Sequence, residues 1–130
     1  MPHVTIETRM ARPADQEIAI IDAVHAALVE AFKIPPGDKH ARLIVHEPHR
    51  MTAPPALAHP ELTTLVAIDC LEGRSVDAKR RLYAEITERL AALGIPADHV
   101  SIVVRDSPLT NWGIRGLPAS EITLGFDVNV

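Results

Sequence analysis

The chain has 130 residues, 47% of them hydrophobic and 23% charged, with a formal net charge of −4; this is one globular domain with enough apolar mass for a core, not a disordered segment. Only 3% of residues are aromatic, and with the acidic balance this argues against a base-stacking or phosphate-backbone binder of nucleic acid. A single cysteine, Cys70, excludes an internal disulfide, no apolar run is long enough to span a bilayer, and Met1–Arg12 does not read as a signal peptide, so a soluble cytoplasmic domain is expected.

The chain begins Met1-Pro2. A small second residue favours removal of Met1, which leaves a prolyl amine at the head of the strand-like run Val4–Thr8. A free α-amino group titrates near ~8. Cationic neighbours and desolvation lower that value towards the range of a general base. Read alone, Met-Pro is also a common start without a role.

A first helix is expected over Gln16–Phe32, with Ile18, Ile21, Val24, Leu28 and Phe32 recurring at spacings of three and four. Ile34-Pro35 follows it, and Leu43-Ile44-Val45 reads as a strand. The connector Pro48–Pro60 contains four prolines, Pro48, Pro54, Pro55 and Pro60, and reads as a stiff loop. Leu65–Asp69 is strand-like again. A second helix over Val76–Leu93 carries the stripe Leu82, Ile86, Leu90 and Leu93, with Ser75 as its N-cap and Gly94 as its stop.

Ile95-Pro96 lies 61 residues after Ile34-Pro35 and leads into the apolar run Val100–Val104. The chain therefore reads as a duplicated β-α-β unit. Repeat one is about 1–47, the connector 48–62, repeat two about 63–105 and a tail 106–130. The first repeat has Lys33 where the second has Gly94, so Lys33 is expected in a left-handed conformation. Right-handed crossovers put both helices on one face of a four-stranded mixed sheet, an α+β fold. The opposite sheet face is left bare, and a homo-oligomer is expected to cover it. The tail turns at Asp106-Ser107-Pro108, and Ile122–Val130 reads as a last short strand.

Few residues offer chemistry. Arg74 sits at a helix start, where a guanidinium can grip a carboxylate bidentately; a solvated turn arginine is the plainer reading. Asp38 is either functional or orders the Gly37-Asp38 turn. His46 and His49 flank a proline and have no further ligand cluster, so no metal is expected. Cys70 reads as packing. No Gly-rich phosphate loop is present, and no cofactor is expected.

Pro2 heading a strand, the duplication, and Leu71-Glu72-Gly73-Arg74-Ser75 before a helix together resemble the tautomerase superfamily, whose founding type is 4-oxalocrotonate tautomerase. Ala31-Phe32-Lys33-Ile34-Pro35-Pro36-Gly37-Asp38 and Asn111-Trp112 resemble segments of its double-length branch, which contains malonate semialdehyde decarboxylase. The resemblance implies a homotrimer with a pocket at each Pro2. It further implies Pro2 as catalytic group, Arg74 as carboxylate holder and Asp38 as assisting acid. Arg12 would reach a neighbouring subunit's site, although Arg9-Met10-Ala11-Arg12 departs from the Glu-Gly-Arg form. Trp112 would wall the pocket or cap the core, with Ile114 sharing that wall and Arg115 a weaker candidate. The decarboxylase has Arg-x-Arg in the turn where this chain has Glu72-Gly73-Arg74, which favours a keto–enol tautomerase of small 2-oxo or 2-hydroxyalkenoic acids. Decarboxylation or hydration of a 3-oxo acid, or a non-catalytic trimeric binding role, are the alternatives.

Overall fold

The computed structural model describes residues 2–130; the expected loss of Met1 concerns a residue outside that range. In chain order the elements are β1 (His3–Thr8), α1 (Ala14–Phe32), β2 (His40–Val45), β3 (Thr64–Leu71), α2 (Val76–Ala91) and β4 (Val100–Ser107). A two-residue-arm hairpin, β5 (Gly113–Ile114) and β6 (Leu117–Pro118), follows. The main sheet has the order β2-β1-β3-β4. Each β-α-β unit supplies one parallel pair, and the two units meet antiparallel through β1 and β3. This is the expected mixed sheet with two helices.

Period-two alternation decides which side chains face the helices. Val4 and Ile6 of β1 and Val66, Ile68 and Cys70 of β3 are buried in one core with α1 and α2. From α1 the core takes Ile20, Val24, Ala27, Leu28, Ala31 and Phe32. Here the expectation needs correcting: Ile18 is 56% exposed and Ile21 only partly buried. Helix α1 is apolar around much of its girth, so two overlapping stripes fit its sequence and the sheet selects one. From α2 the core takes Ala78, Leu82, Ile86 and Leu90. The helix ends at Ala91, so Leu93 falls outside it and is exposed, while Ile95 is buried instead.

Local signals at the helix ends hold. The Ser75 hydroxyl accepts from the Ala78 N–H at 3.1 Å, and Lys33 adopts φ 56 where Gly94 adopts φ 91. The other face of the sheet carries Ile44, Leu65 and Val103, each about two-fifths exposed. The expected strand over Ile122–Val130 is not formed. Its side chains do alternate between partly buried and exposed, but the segment pairs with no strand. It crosses the start of α2 instead, where the Ser75 N–H donates to the Val130 carbonyl at 2.8 Å.

Candidate active site

Topology gathers distant residues at one end of the sheet. Because β1 and β3 are antiparallel, the start of β1 lies against the end of β3, His3 pairing with Asp69. Because β1 and β2 are parallel, the same end holds the start of β2, His3 also pairing with His40. Pro2 immediately precedes β1 and is buried; one further step of the register sets it opposite Cys70. Asp38 precedes β2 by two residues, and Arg74 follows β3 by three. Three segments far apart in sequence thus converge here.

Arg74 is the most informative side chain. It is 6% exposed. Its Nη1 donates to the Leu71 carbonyl at 3.0 Å, and its guanidinium carbon lies 4.9 Å from the centre of the Phe32 ring and 5.7 Å from that of Phe126. Nε and Nη2 are buried without a hydrogen-bond partner. These two nitrogens share one edge of the guanidinium plane, and their N–H vectors run side by side at the spacing of two carboxylate oxygens. Buried donors are nearly always satisfied in a folded protein, so an empty edge of this kind fits an anion that arrives from outside. Burial lowers the pKa of the guanidinium, opposed by Cys70 and by the negative charges of Asp106, Asp38 and Asp127. Arg74 also stands just before the N-cap of α2, whose positive end favours an anion in the same place.

Cys70 is fully buried, its Sγ 3.5 Å from an Asp106 oxygen. Burial raises its pKa to about 12, so the thiol stays neutral and is packing, not a nucleophile. Asp106 pairs with Lys79 at 2.6 Å, and that bond raises the Lys79 pKa.

Asp38 and Ile114 line a cleft of about 250 Å³ together with Pro35, Arg115 and the run Ile122–Phe126. Phe126 is common to this cleft and to the Arg74 guanidinium. The Asp38 carboxylate lies 3.1 Å from Nε2 of His40, a neighbour that sequence reading did not single out. Arg115 stands at the hairpin tip with φ 51, next to Gly116 at φ 82.

Two expected site residues, Trp112 and Arg12, do not line the cleft that holds Asp38 and Ile114. Trp112 meets the His3 ring edge-on, centroids 5.0 Å apart, and lines a separate cleft with Arg42 and Asp69. It therefore flanks the start of β1 from the bare side of the sheet and does not share a wall with Ile114. The adjoining His3 has its pKa lowered by burial and by His40. Arg12 lies beyond the far end of β1, and that end, Thr8, is about 20 Å from Pro2 at roughly 3.3 Å per residue. It lines a small cleft with Gln16 and Leu93, its Nη1 donating to the Met10 carbonyl at 3.3 Å. Within one chain Arg12 and Arg74 cannot serve the same ligand. Among the described residues no cluster of histidine, cysteine or acidic side chains is arranged to hold a metal, and no helix is long and apolar enough to cross a membrane.

The two rings against Arg74, Phe126 and Phe32, are not among the expected site residues. Phe32 was legible as the end of a helical stripe and as part of the Ala31–Asp38 resemblance, and the Ile122–Val130 segment showed only its alternation.

Comparison with known proteins agrees with this picture. A family model described as tautomerase enzyme matches residues 38–115. A probable tautomerase of Ralstonia nicotianae is 33% identical over 57 residues, 43% of this chain and 81% of the relative. A 2-hydroxymuconate tautomerase of Comamonas testosteroni is 40% identical over 53 residues, 40% of this chain and 84% of the relative. These relatives are thus about as long as one of the two β-α-β units. The crystal structure of FG41 malonate semialdehyde decarboxylase, inhibited by 3-bromopropiolate, superimposes with a TM-score of 0.76 at 30% identity, covering 85% of this chain and 87% of that one. A fused 4-OT, an asymmetric trimer, has a TM-score of 0.81 at 19% identity, covering 91% and 96%.

Proposed function

The chain belongs to the tautomerase enzyme family, and on that premise we propose that it is a cofactor-free keto–enol tautomerase of small 2-oxo and 2-hydroxyalkenoic acids. The observation that carries the proposal is the buried Arg74 edge, Nε and Nη2, with no partner of its own. In this reading that edge takes the substrate carboxylate in a two-point grip and stabilises negative charge that develops on the enolate. Pro2, unblocked once Met1 is removed, is the base. Its nitrogen takes the proton of the 2-hydroxyl group and returns it to a carbon of the same molecule, leaving the 2-oxo acid. No atom is gained or lost and no electrons leave the substrate. Ile114 keeps water from the apolar part of the substrate, and Trp112 holds the β1 start through His3.

The bare sheet face supports assembly into a homotrimer, the state named for the fused 4-OT. In that assembly Arg12, remote from Pro2 in its own chain, is supplied to a neighbouring copy's site.

A second reading is favoured by two observations. Asp38 lines the cleft, and the 30% identity with a malonate semialdehyde decarboxylase runs over most of the chain. There Pro2 stays cationic and, with Asp38, drives decarboxylation or hydration of a 3-oxo acid. Glu72 is exposed and adds no second cation to the anion site, which weighs towards the tautomerase.

Pro2→Ala is expected to reduce turnover of phenylenolpyruvate and 2-hydroxymuconate by at least about 100-fold, the worth of a positioned general base, measured on protein whose intact mass shows Met1 gone. Unchanged turnover of both would leave a binding protein. A nitrogen titration by NMR then separates the two enzymes: a Pro2 pKa near or below neutrality supports the base, and a clearly alkaline one supports the decarboxylase.

A further inference from the structure

We infer that Phe126 is a positioning residue of the anion site, acting through Arg74, and that the segment 126–130 is the strap that keeps it there. The inference rests on the reading of Arg74 as a carboxylate holder. An arginine on a flexible five-bond stem presents a defined edge only if something fixes its plane. Here one end is fixed by the hydrogen bond from Nη1 to the Leu71 carbonyl. Its plane is fixed by two aromatic rings, Phe32 and Phe126. A ring against the guanidinium attracts the cation through its π face and uses no N–H donor, so the Nε and Nη2 edge stays free for a carboxylate. The same rings exclude water, which strengthens a charge-assisted pair formed there.

Phe32 is built into α1 and wholly buried, so its place follows from the core. Phe126 belongs to no regular element, and its place depends on the strap. Three contacts hold the strap to the start of α2. The Ser75 N–H donates to the Val130 carbonyl at 2.8 Å. Phe126 and Val130 pack against the core. Gly73, at φ +131, admits the strap so closely that a Cβ there would lie 2.8 Å from the Val128 carbonyl oxygen; only glycine leaves that room. The residue just before Arg74 is thereby shaped to the strap that carries Phe126. Phe126 also walls the cleft that holds Asp38 and Ile114, so an anion passing from that cleft to the buried edge passes Phe126.

The test separates a ring against a cation from plain packing. Probes are trans-cinnamate, a planar carboxylate with no enolisable group, and its methyl ester, titrated calorimetrically. Phe126→Leu is expected to weaken cinnamate about tenfold while leaving the ester unchanged, and Phe126→Tyr to restore affinity to within about twofold of the parent. With phenylenolpyruvate the same loss appears in KM, with kcat held within about twofold. Phe126→Met, similar in volume and without a ring, follows Phe126→Leu and stands in for it should that variant not fold. The inference is overturned if Leu, Met and Tyr behave alike, or if Phe126→Leu weakens the ester as much as the acid. It is also overturned if the parent prefers the acid to the ester by nothing measurable. The titrations require no turnover, so they are read independently of the Pro2→Ala result, which bears on the tautomerase reading alone.

Discussion

A buried cation whose best hydrogen-bonding edge is empty is a cost to the folded chain. Each unsatisfied donor forfeits about 1–3 kcal/mol, and the rings against Arg74 offset only part of it. A protein selected for stability alone would fill this place with an apolar side chain, as replacements of buried ionic groups have shown elsewhere. Arg74→Met is therefore expected to raise the stability of the folded protein by about 1–3 kcal/mol, read as a higher denaturant midpoint with an unchanged slope, while preference for carboxylates over esters is lost. A lower midpoint would mean that the guanidinium is a structural member and that its empty edge is incidental. Among the described residues, the two left-handed non-glycine residues, Lys33 and Arg115, are costs of another kind. Lys33 was legible because the duplication supplies its counterpart, Gly94. Arg115 was not, because the hairpin tip it occupies has no counterpart in the first repeat.

The elements recovered from sequence are those whose cause is local. Ser75 followed by an apolar stripe at helical spacing marks the start of α2, and the hydroxyl does cap the Ala78 N–H. Helix α1 shows the contrast: Pro13 precedes it and makes no side-chain cap, so its start was placed two residues late. Elements fixed by distant partners were misread. Ile122–Val130 has the alternation of a strand, yet a strand needs an edge to pair with, and this segment spends its contacts on Gly73, Arg74 and Ser75 instead. The site was half legible for the same reason. The convergence of Pro2, Asp38 and Arg74 at one end of the sheet follows from the pairing of β1 with β2 and β3, whereas the separation of Trp112 from Ile114 depends on how the β5–β6 hairpin lies. The cap also makes a prediction. Ser75→Ala keeps the N–H that binds Val130 and removes only the hydroxyl, so it is expected to cost about 1 kcal/mol in chemical denaturation and to leave KM for an enol acid within about twofold. A large rise in KM with little loss of stability would mean that the cap, not the strap, sets Arg74.

The sheet has one face filled and one bare, and this imbalance argues beyond the single chain. On the helix side the sheet contributes Val4, Ile6, Val66, Ile68 and Cys70, all nearly inaccessible. On the other side Glu7 stands between Ile44 and Leu65, and Ala67 beside Val103, in adjacent strands. Ile44, Leu65 and Val103 are 38–45% exposed there, apolar side chains that no layer of this chain covers. The proposed sharing of Arg12 between copies gives that face a further consequence. Arg12 lies at the end of β1 remote from Pro2, so only a second copy can bring an Arg12 to a given Pro2. On the proposed assembly, activity depends on the contact made through the sheet. Replacing both Leu65 and Val103 with lysine puts like charges on adjacent strands of the contact face while leaving the helix-side core untouched. The double variant is expected to sediment as a monomer with an unchanged circular dichroism spectrum, and the parent, on the proposed assembly, as a trimer. Its turnover of phenylenolpyruvate should fall at least as far as that of Arg12→Ala in the parent background. A monomeric double variant with full activity would show that each chain holds a complete site and that Arg12 takes no part in it. If the double variant instead remains a trimer, copies of the chain meet through some other surface.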